Sequence, residues 1–421
     1  MFKGSRVLLV ATTTGYQTRS FGDAAEKLGV PIVFATDRCD QLEDPWWDAA
    51  IPIRFHDEAR SVAAIVDALR TTPVKGVLAV GDRPTVIAAH AARALGLAGN
   101  HPDAASASRN KLACRIVLRA AGLLVPWFEA TPVHTDPREL SERVPYPCVV
   151  KPLAMAGSRG VIRADSREAF LDAFMRVASM LHQADVRLEL DTAHDGLIVE
   201  SFIPGREYAL EGLLQRGTLH TLAIFDKPDP LDGPYFEETI YVTPSGLSPS
   251  EQAHVSDVVG KAARALGLTH GPVHAEVRVN REGVFVLEVA ARPIGGLCSR
   301  ALRFEADMSL EELLLRHVLG DDVSRVRRES IASGVMMIPI PSRGVYREVR
   351  GLEDARGVRW VEDIRITAKP DQLLVPLPEG KSYLGFIFAR AERQADVVQA
   401  LRDAHGRLRF GIDREIPVAG R

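Results

Sequence analysis

Short apolar runs alternate with amphipathic segments through the first hundred residues. Buried strands are indicated by RVLLVAT, PIVFATD and VKGVLAV, and helices by FGDAAEKLG, SVAAIVDALR and PTVIAAHAARALGL. Gly29 ends the first helical pattern and Pro84 opens the third. Because strands that alternate with helices are typical of βαβ units, this region is predicted to form a parallel sheet.

Longer strands follow a Gly/Pro/Ser-rich break, GLAGNHPDAASAS. A helix is predicted for NKLACRIVLRAAG, and strands for YPCVVKP, GLIVESFI and EYALEGLLQRGTLHTLAIF. A long loop from Asp226 to Pro244 is rich in proline and acidic residues. Two capping boxes, Ser248 with Glu251 and Ser309 with Glu312, open the next two predicted helices.

The last ninety residues contain short strands and one helix, indicated by GVMMIPI, GVRWVEDIRI, YLGFIFARA and ADVVQALRDAH. This region is predicted to be a separate α+β unit. A chain of 421 residues is too long for one ordinary core, so several domains are expected.

Composition excludes several classes of protein. The chain is 46% hydrophobic and 25% charged, and its formal net charge is −3, so it offers no electrostatic case for binding nucleic acid or an anionic membrane. No apolar run reaches membrane-spanning length. The cysteines show no C-x-x-C spacing, which argues against a zinc site or disulfide framework and fits a cytoplasmic location. They are Cys39, Cys114, Cys148 and Cys298.

Candidate chemistry is concentrated in GPVHAEVRVNREGVFVLEVAARPIGG. Two strand patterns flank the turn Arg281-Glu282-Gly283, and a symmetric hairpin would place Glu276 opposite Glu288. Facing like charges destabilise a hairpin, and Mg²⁺ is suited to bridge two such carboxylates. On this stretch alone, an edge hairpin with both acids in water explains the pattern nearly as well.

Further charged residues accompany this pair. Arg292 lies four residues beyond Glu288, on the same face if the strand persists, where it could stabilise a phosphate or an oxyanion. Upstream, Lys151 ends an apolar strand just before the small-residue loop LAMAGSRG, whose backbone N–H groups could bind phosphate. No Walker A loop and no G-x-G-x-x-G occurs.

These motifs, in this order, resemble the ATP-grasp superfamily, over roughly residues 5 to 410. The resemblance implies ATP-grasp architecture of mixed α/β and α+β class: an N-terminal parallel-sheet domain, a two-lobed ATP-grasp region and a C-terminal α+β domain. The expected boundaries are 1–100 for the Rossmann-like N-terminal domain, 101–130 for a helical linker, 131–205 for the small lobe, 206–325 for the large lobe and 326–421 for the C-terminal domain.

The resemblance also implies roles for individual residues. Lys111 and Lys151 would reach ATP phosphates, beneath a flexible loop that contains Ser158. Glu207 would hold the ribose hydroxyls, and Mg²⁺, or Mn²⁺ in its place, would be held by Glu276 and Glu288, with Arg292 catalytic. The adenine would be bordered by Glu200, Ser201, Phe202 and Ile203. Many members carry an asparagine as a further metal ligand where this chain has Ala290, which leaves the number of metal ions open.

The implied reaction is ligation. A carboxylate attacks ATP to give an acylphosphate and ADP, and an amine then displaces phosphate. The C-terminal region is similar to that of L-amino acid ligases and biotin-carboxylase-like ligases, but Pro293-Ile294-Gly295-Gly296 replaces the Gln-Val-Glu-His of biotin carboxylases. An amino acid and an amine are therefore the expected small-molecule substrates, joined in an amide or dipeptide bond. Relatives of this type are often homodimers.

Substrate contacts are predicted for His274, Gly295, Gly296 and Glu238. The long loop is expected to shape the acceptor pocket, with Tyr235 and Phe236 as walls and Glu237 and Glu238 as ammonium ligands. A solvated loop tip and a structural histidine are the alternatives. Two rival functions stay open: a carboxylase or purine-synthesis ligase, and a nucleotide-binding regulator without turnover.

Overall fold

The computed structural model describes residues 4–12, 17–37 and 50–414. Within these, Cys114, Cys148 and Cys298 are buried free thiols, and Cys39 lies outside the described residues. No helix in the described part of the chain is both long and apolar enough to cross a membrane.

The N-terminal region forms the parallel sheet that its pattern predicts. Four parallel strands lie in the order β3-β2-β1-β4, with helices packed against them. The apolar runs of β1 and of the edge strand β4 are almost wholly buried, as expected for a sheet covered on both faces. The elements are β1 (Val7–Ala11), α1 (Gln17–Leu28), β2 (Ile32–Thr36), β3 (Ile51–Pro52), α2 (Glu58–Ala68), β4 (Gly76–Val80) and α3 (Pro84–Ala94).

The predicted break before residue 110 is wrong in part, because it contains the helix α4 (Pro102–Arg109). His101 caps the first turn through its ring nitrogen, and Pro102 fixes the first helical position. The small residues Ala104 and Ala105 then let the helix pack closely against its neighbours. Tertiary packing therefore outweighs the local Gly/Pro/Ser signal. The next helix, α5 (Lys111–Ala120), is capped by Asn110.

A second, four-stranded sheet forms the small lobe in the order β5-β8-β6-β7. Helix α7 packs Phe170, Phe174 and Val177 against it. The elements are β5 (Phe128–Pro132), α6 (Pro137–Ser141), β6 (Cys148–Pro152), β7 (Ile162–Ala164), α7 (Arg167–Leu181), α8 (Ala184–Arg187) and β8 (Gly196–Ser201).

An eight-stranded sheet is the framework of the remaining chain, in the order β13-β12-β9-β10-β11-β16-β20-β18. Its large-lobe elements are β9 (Arg206–Gln215), β10 (Thr218–Asp226), β11 (Ile240–Thr243), α9 (Pro249–Leu266), β12 (Gly271–Asn280), β13 (Gly283–Ala290), β14 (Arg303–Phe304), β15 (Met308–Ser309) and α10 (Leu310–Val318). Strand β11 lies inside the long predicted loop. The Ser248–Glu251 capping box is complete, whereas at the start of α10 the Ser309 side chain alone caps the helix, by accepting from the Glu312 N–H.

The last ninety residues share the central sheet with the large lobe, to which strand pairing joins the C-terminal domain. Strand β16 pairs with β11 of the large lobe, and three C-terminal strands thus continue the central sheet. Only a small sheet, β19-β17-β21, stands apart within the described residues. The elements are β16 (Ala332–Ile338), β17 (Gly344–Arg350), α11 (Leu352–Arg356), β18 (Val361–Ile366), β19 (Leu373–Leu374), β20 (Gly385–Ala391), α12 (Gln394–Arg407) and β21 (Arg409–Asp413).

One hydrophobic core joins the N-terminal region to the central sheet. It contains Leu9 and Phe21 from the first, Phe225 and Leu314 from the large lobe, and Phe388 from the C-terminal region. Each large side chain buried there stabilises the fold by about 1.5–3 kcal/mol. This shared core fixes the carboxyl ends of the parallel strands relative to the large sheet.

A stacked pair of histidines lies near this junction. The rings of His270 and His317 are 4.4 Å apart between centroids, and neither ring nitrogen of the buried His317 has a hydrogen-bond partner in the described structure. Burial, with His270 and His220 nearby, lowers the pKa of His317 to about 4 from an unfolded value of 6.5.

A pH-dependent stability follows from this pair. The folded-state pKa of His317 lies below the unfolded one. Its titration therefore leaves the free energy of unfolding unchanged above pH 6.5 and lowers that free energy as the pH falls from 6.5 towards about 4. His317→Phe keeps an aromatic ring without the charge and should flatten this decline in urea denaturation midpoints. His254→Phe, at an exposed position of α9, is the control. An unchanged pH profile in His317→Phe would contradict the assignment.

Candidate active site

A single cavity of about 670 Å³ is lined by most of the predicted site residues. Its walls come from the carboxyl ends of the parallel strands, from the small lobe and from the large sheet. Among its lining residues are Lys111, Lys151, Ser158, Glu200, Ser201, Phe202, Ile203, Glu207, Glu238, His274, Glu276, Glu288, Arg292, Gly295 and Gly296. Side chains almost 200 residues apart in sequence thus meet at one place.

The hairpin of β12 and β13 does pair Glu276 with Glu288, but by a different register from the symmetric one predicted. The turn has two residues, so Asn280 pairs with Gly283 and Arg278 with Phe285. An irregularity after Glu276 then skips one residue of β13 and restores the opposition of the two acids. Bulges of this kind redirect side chains next to active sites.

The Asn280 side chain explains the tighter turn. Its carbonyl oxygen accepts from the Glu282 N–H at 2.9 Å, and its amide donates to the Pro204 carbonyl at 2.9 Å. An asparagine that binds the backbone two residues ahead favours a short turn.

A buried ion-pair network supports Lys151 and Glu200. The Glu200 carboxylate accepts from Lys151 Nζ at 2.6 Å and lies 2.8 Å from Arg115 Nε. Burial alone would raise the pKa of Glu200, but Arg115 and Lys151 outweigh it and hold this pKa at about 2. Burial, aided by the positive charge of Arg115, lowers the pKa of Lys151 to about 8 despite Glu200. Both pKa values are lowered because Glu200 interacts with two cations, whereas burial of Lys151 outweighs the carboxylate that it shares with Arg115.

Lys111 lies under the small-residue loop that was predicted to bind phosphate. Its Nζ donates to the Met155 carbonyl at 2.7 Å, and its backbone N–H donates to the Leu153 carbonyl at 2.8 Å. Within the loop, Gly157 and Ser158 have positive φ values of 64° and 55°. Positive φ values at two successive residues turn the backbone sharply at this point of the loop.

The loop is also held from outside the small lobe. The Gly160 N–H donates to the Pro378 carbonyl at 2.8 Å, and Arg159 Nε donates to the Glu379 carbonyl at 3.0 Å. Arg176 of α7 adds a two-pronged ion pair with the Glu379 carboxylate. The C-terminal region therefore contributes directly to the position of the loop.

The segment predicted to border the adenine carries an aromatic stack. The Phe202 ring stacks on Phe236 with centroids 6.4 Å apart, and the guanidinium of Arg163 lies 4.2 Å from the Phe202 centroid. Arg278 donates to the Ile203 carbonyl at 2.7 Å and to Glu207 at 3.0 Å. These contacts fix the segment Ser201–Ile203 along one wall of the cavity.

Three carboxylates surround the buried Lys227. Those of Glu207, Glu238 and Glu276 offer oxygens within 4.8 Å of one another. Lys227 Nζ lies 2.7 Å from Glu207 and 3.2 Å from Glu276, and it also pairs with Glu238. Burial, followed by repulsion from Glu276, raises the pKa of Glu238 to about 7. Within the long loop, Phe236 and Glu238 line the cavity, whereas Tyr235 and Glu237 are not among its lining residues.

His274 is held between two acids. Its Nδ1 lies 3.1 Å from Glu211, and its Nε2 lies 3.8 Å from Glu276. Burial would lower the pKa of His274, but its hydrogen bonds raise it to about 9, so the ring is cationic at neutral pH. Glu211 also accepts from the Ile294 N–H at 3.1 Å, which ties the glycine pair that follows to the same acid.

The two glycines, Gly295 and Gly296, differ in how closely other atoms approach their backbone. A Cβ at Gly295 would meet no atom within 4 Å, whereas one at Gly296 would lie 3.1 Å from the Phe386 ring. Gly295 therefore leaves its side of the cavity accessible to a ligand.

Arg292 is buried where the three walls meet. Strand β13 ends at Ala290, yet Arg292 Nη2 still lies 3.9 Å from Glu288, on the expected side. Its Nε donates to Asp82 at 2.8 Å, an acid from the N-terminal region. Ala290 is buried opposite His274 and offers no ligand atom.

Comparison with known proteins decides the family. A model of the ATP-grasp N-terminal domain matches residues 22–99, one of the ATP-grasp domain matches 144–301, and one of the L-amino acid ligase C-terminal domain 2 matches 336–413. Together they match most of the chain, in the predicted order. This chain belongs to the ATP-grasp family. The predicted ATP-grasp architecture is therefore confirmed.

Individual relatives agree with the family. An L-amino acid ligase from Bacillus licheniformis superposes with a TM-score of 0.79, at 24% identity, over 97% of this chain and 99% of that one. Protein y4rH of Sinorhizobium fredii is 24% identical over 92% of this chain and 79% of its own length. Alanine–anticapsin ligase of Bacillus subtilis is 26% identical over 71% of this chain and 66% of its own length. The predicted ligase class is confirmed by these findings.

Sequence reasoning missed four charged residues that form ion pairs with residues lining the cavity. Arg115, Lys227, Glu211 and Asp82 carry no motif of their own, since each acts through a partner distant in sequence. A signal existed for two of them. Arg115 interrupts the apolar pattern of α5 and Glu211 that of β9, which is unusual for a charged residue in a buried run.

Breaking the buried network should destabilise the whole chain. Arg115 is fully buried, and it also donates to the Val286 and Leu287 carbonyls. Arg115→Met leaves Glu200 with Lys151 alone and should lower the free energy of unfolding by about 3–5 kcal/mol. Urea denaturation measures this loss. Arg167→Met, in an exposed pair with Glu142, should change it far less; equal effects in both variants would refute the network's structural role.

Proposed function

We propose that this chain is an ATP-dependent carboxylate–amine ligase. It activates an amino acid as an acylphosphate and joins it to an amine, forming an amide or dipeptide bond with release of ADP and phosphate. One observation carries the proposal: a single cavity contains the two acids, two lysines, arginine and glycine pair that the resemblance assigned to this reaction.

The nucleotide occupies the side of the cavity formed by the small lobe. Lys111 and Lys151 approach the phosphates beneath the loop around Ser158, and the positions of both are fixed by contacts to residues of the lobe. With a pKa of about 8, Lys151 is mostly protonated at neutral pH and can neutralise phosphate. The base lies along Ser201–Ile203, and Glu207 is placed to accept from ribose hydroxyls.

The donor set on the hairpin fits a divalent cation. Glu276 and Glu288 would hold Mg²⁺, and Mn²⁺ can take its place, since both favour carboxylates together with water and phosphate oxygens. When bound, the ion supplies positive charge beside the transferring phosphoryl group. The buried Ala290 adds no ligand, and Lys227 beside Glu276 limits the negative charge that the ion meets.

The carboxylate substrate lies between the nucleotide and the glycine pair. Arg292 stabilises the carboxylate, and later the oxyanion of the tetrahedral intermediate. The cationic ring of His274, on the opposite strand, adds positive charge beside the substrate carboxylate. Glu238 is an ammonium ligand for a substrate amino group, with Lys227 and Tyr241 holding its carboxylate in place.

The C-terminal region distinguishes this function from its rivals. It matches the model of an L-amino acid ligase C-terminal domain, and Gly295-Gly296 stands where biotin carboxylases have Glu-His. We further propose that the enzyme acts in the cytoplasm and forms a homodimer, as relatives of this type often do.

ADP formation in the presence of amino-acid pairs tests the proposal. The purified chain with Mg²⁺-ATP should release ADP and phosphate when both a carboxylate and an amine are present. Glu288→Gln and Arg292→Ala should each lower kcat/KM by about 10²–10³. Glu282→Gln, at an exposed turn position of the same hairpin, should leave it unchanged.

Two results would overturn the proposal. One is the absence of stimulation by any amino-acid pair, which favours a nucleotide-binding regulator. The other is full activity in Glu288→Gln or Arg292→Ala, which would contradict the roles proposed for these two residues.

A further inference from the structure

Arg292 has two acidic neighbours, and they belong to different parts of the chain. Its Nε donates to Asp82 Oδ1 at 2.8 Å, whereas its Nη2 lies 3.9 Å from Glu288 Oε1. The third nitrogen, Nη1, donates to the Pro293 carbonyl at 3.0 Å. The guanidinium is therefore hydrogen-bonded to Asp82 and beyond hydrogen-bond distance from Glu288.

Asp82 lies in a hydrogen-bonded turn between β4 and α3. It follows β4 at the carboxyl end of the parallel sheet, directly after Gly81, whose φ of 88° suits glycine. The Asp82 carbonyl accepts from the Thr85 N–H at 3.2 Å and from the Thr85 hydroxyl at 2.7 Å, which fixes the start of α3. The carboxylate is thus held independently of the hairpin that carries Glu288.

A free guanidinium at this place would bind Glu288 instead. Charge-assisted hydrogen bonds between nitrogen and carboxylate span about 2.7–2.9 Å, so Nη2 would need to move by only about 1 Å. An arginine bound to Glu288 occupies the carboxylate that the proposed metal requires. It also leaves the position from which Arg292 reaches the substrate.

We propose that Asp82 is a positioning residue that holds Arg292 off Glu288 and so keeps this acid available to the metal ion. The N-terminal region thereby controls the metal site of the large lobe through a single ion pair. This inference rests on the proposed function, since it takes Glu288 as a metal ligand and Arg292 as the catalytic arginine.

Binding of Mn²⁺ in the presence of ADP tests the inference without turnover. Mn²⁺ titration followed by electron paramagnetic resonance should give about tenfold weaker binding in Asp82→Asn than in the natural chain, the size expected for an outer partner of a metal ligand. Asp82→Glu keeps the charge and should restore most of the affinity. Asp82→Ser is the neutral replacement if the asparagine variant does not fold.

A double-mutant cycle identifies the route of the effect. If Asp82 acts through Arg292, Asp82→Asn should weaken Mn²⁺ binding no further in an Arg292→Met background. Lys27→Met is the matched control, because it removes another 2.8 Å ion pair between the N-terminal region and the large lobe, to Glu312, away from the cavity. It should leave Mn²⁺ affinity unchanged.

Two outcomes would overturn the inference: natural Mn²⁺ affinity in Asp82→Asn, or an equal loss with and without Arg292. Failure of the proposed function is seen separately, as absence of amino-acid-dependent ADP formation by the natural chain. In steady-state assays, Asp82→Asn should also raise the Mg²⁺ concentration that gives half-maximal velocity, whereas a purely structural loss would lower the amount of active enzyme alone.

Discussion

The cavity of this ATP-grasp protein depends on pairing buried charges across distant segments. A charge removed from water is costly unless an opposite charge and hydrogen bonds compensate it. Here Glu200 is compensated by Arg115 and Lys151, Glu211 by His274, and Arg292 by Asp82. Each pair joins segments distant in sequence, so the electrostatic requirement of the site also fixes the arrangement of the surrounding elements.

This requirement explains why the C-terminal region is part of the central sheet. The loop around Ser158, for which we propose phosphate binding, is supported by Pro378 and Glu379 from outside the small lobe. Strands β16 and β20 continue the sheet on which the hairpin stands, and Phe386 packs beneath the glycine pair. A C-terminal domain joined to the rest only by a linker could not hold these contacts at fixed distances.

Much of the site was predictable because local motifs place residues on known faces. The opposition of Glu276 and Glu288 follows from strand alternation, and the position of Lys151 in the cavity wall from its place at the end of a strand. The register was not predictable, since the two-residue turn set by Asn280 and the irregularity after Glu276 cancel each other. Lys227 could not be found either, because only the folded sheet brings it among three acids.

Transfer of oxygen from substrate to phosphate tests the central claim, activation of a carboxylate as an acylphosphate, most directly. An amino acid with both carboxylate oxygens replaced by ¹⁸O is incubated with the enzyme, Mg²⁺-ATP and an amine, and the released phosphate is analysed by mass spectrometry. The proposed reaction breaks one labelled C–O bond, so each phosphate should carry one ¹⁸O atom. Unlabelled phosphate, released together with ADP and the coupled product, would contradict it.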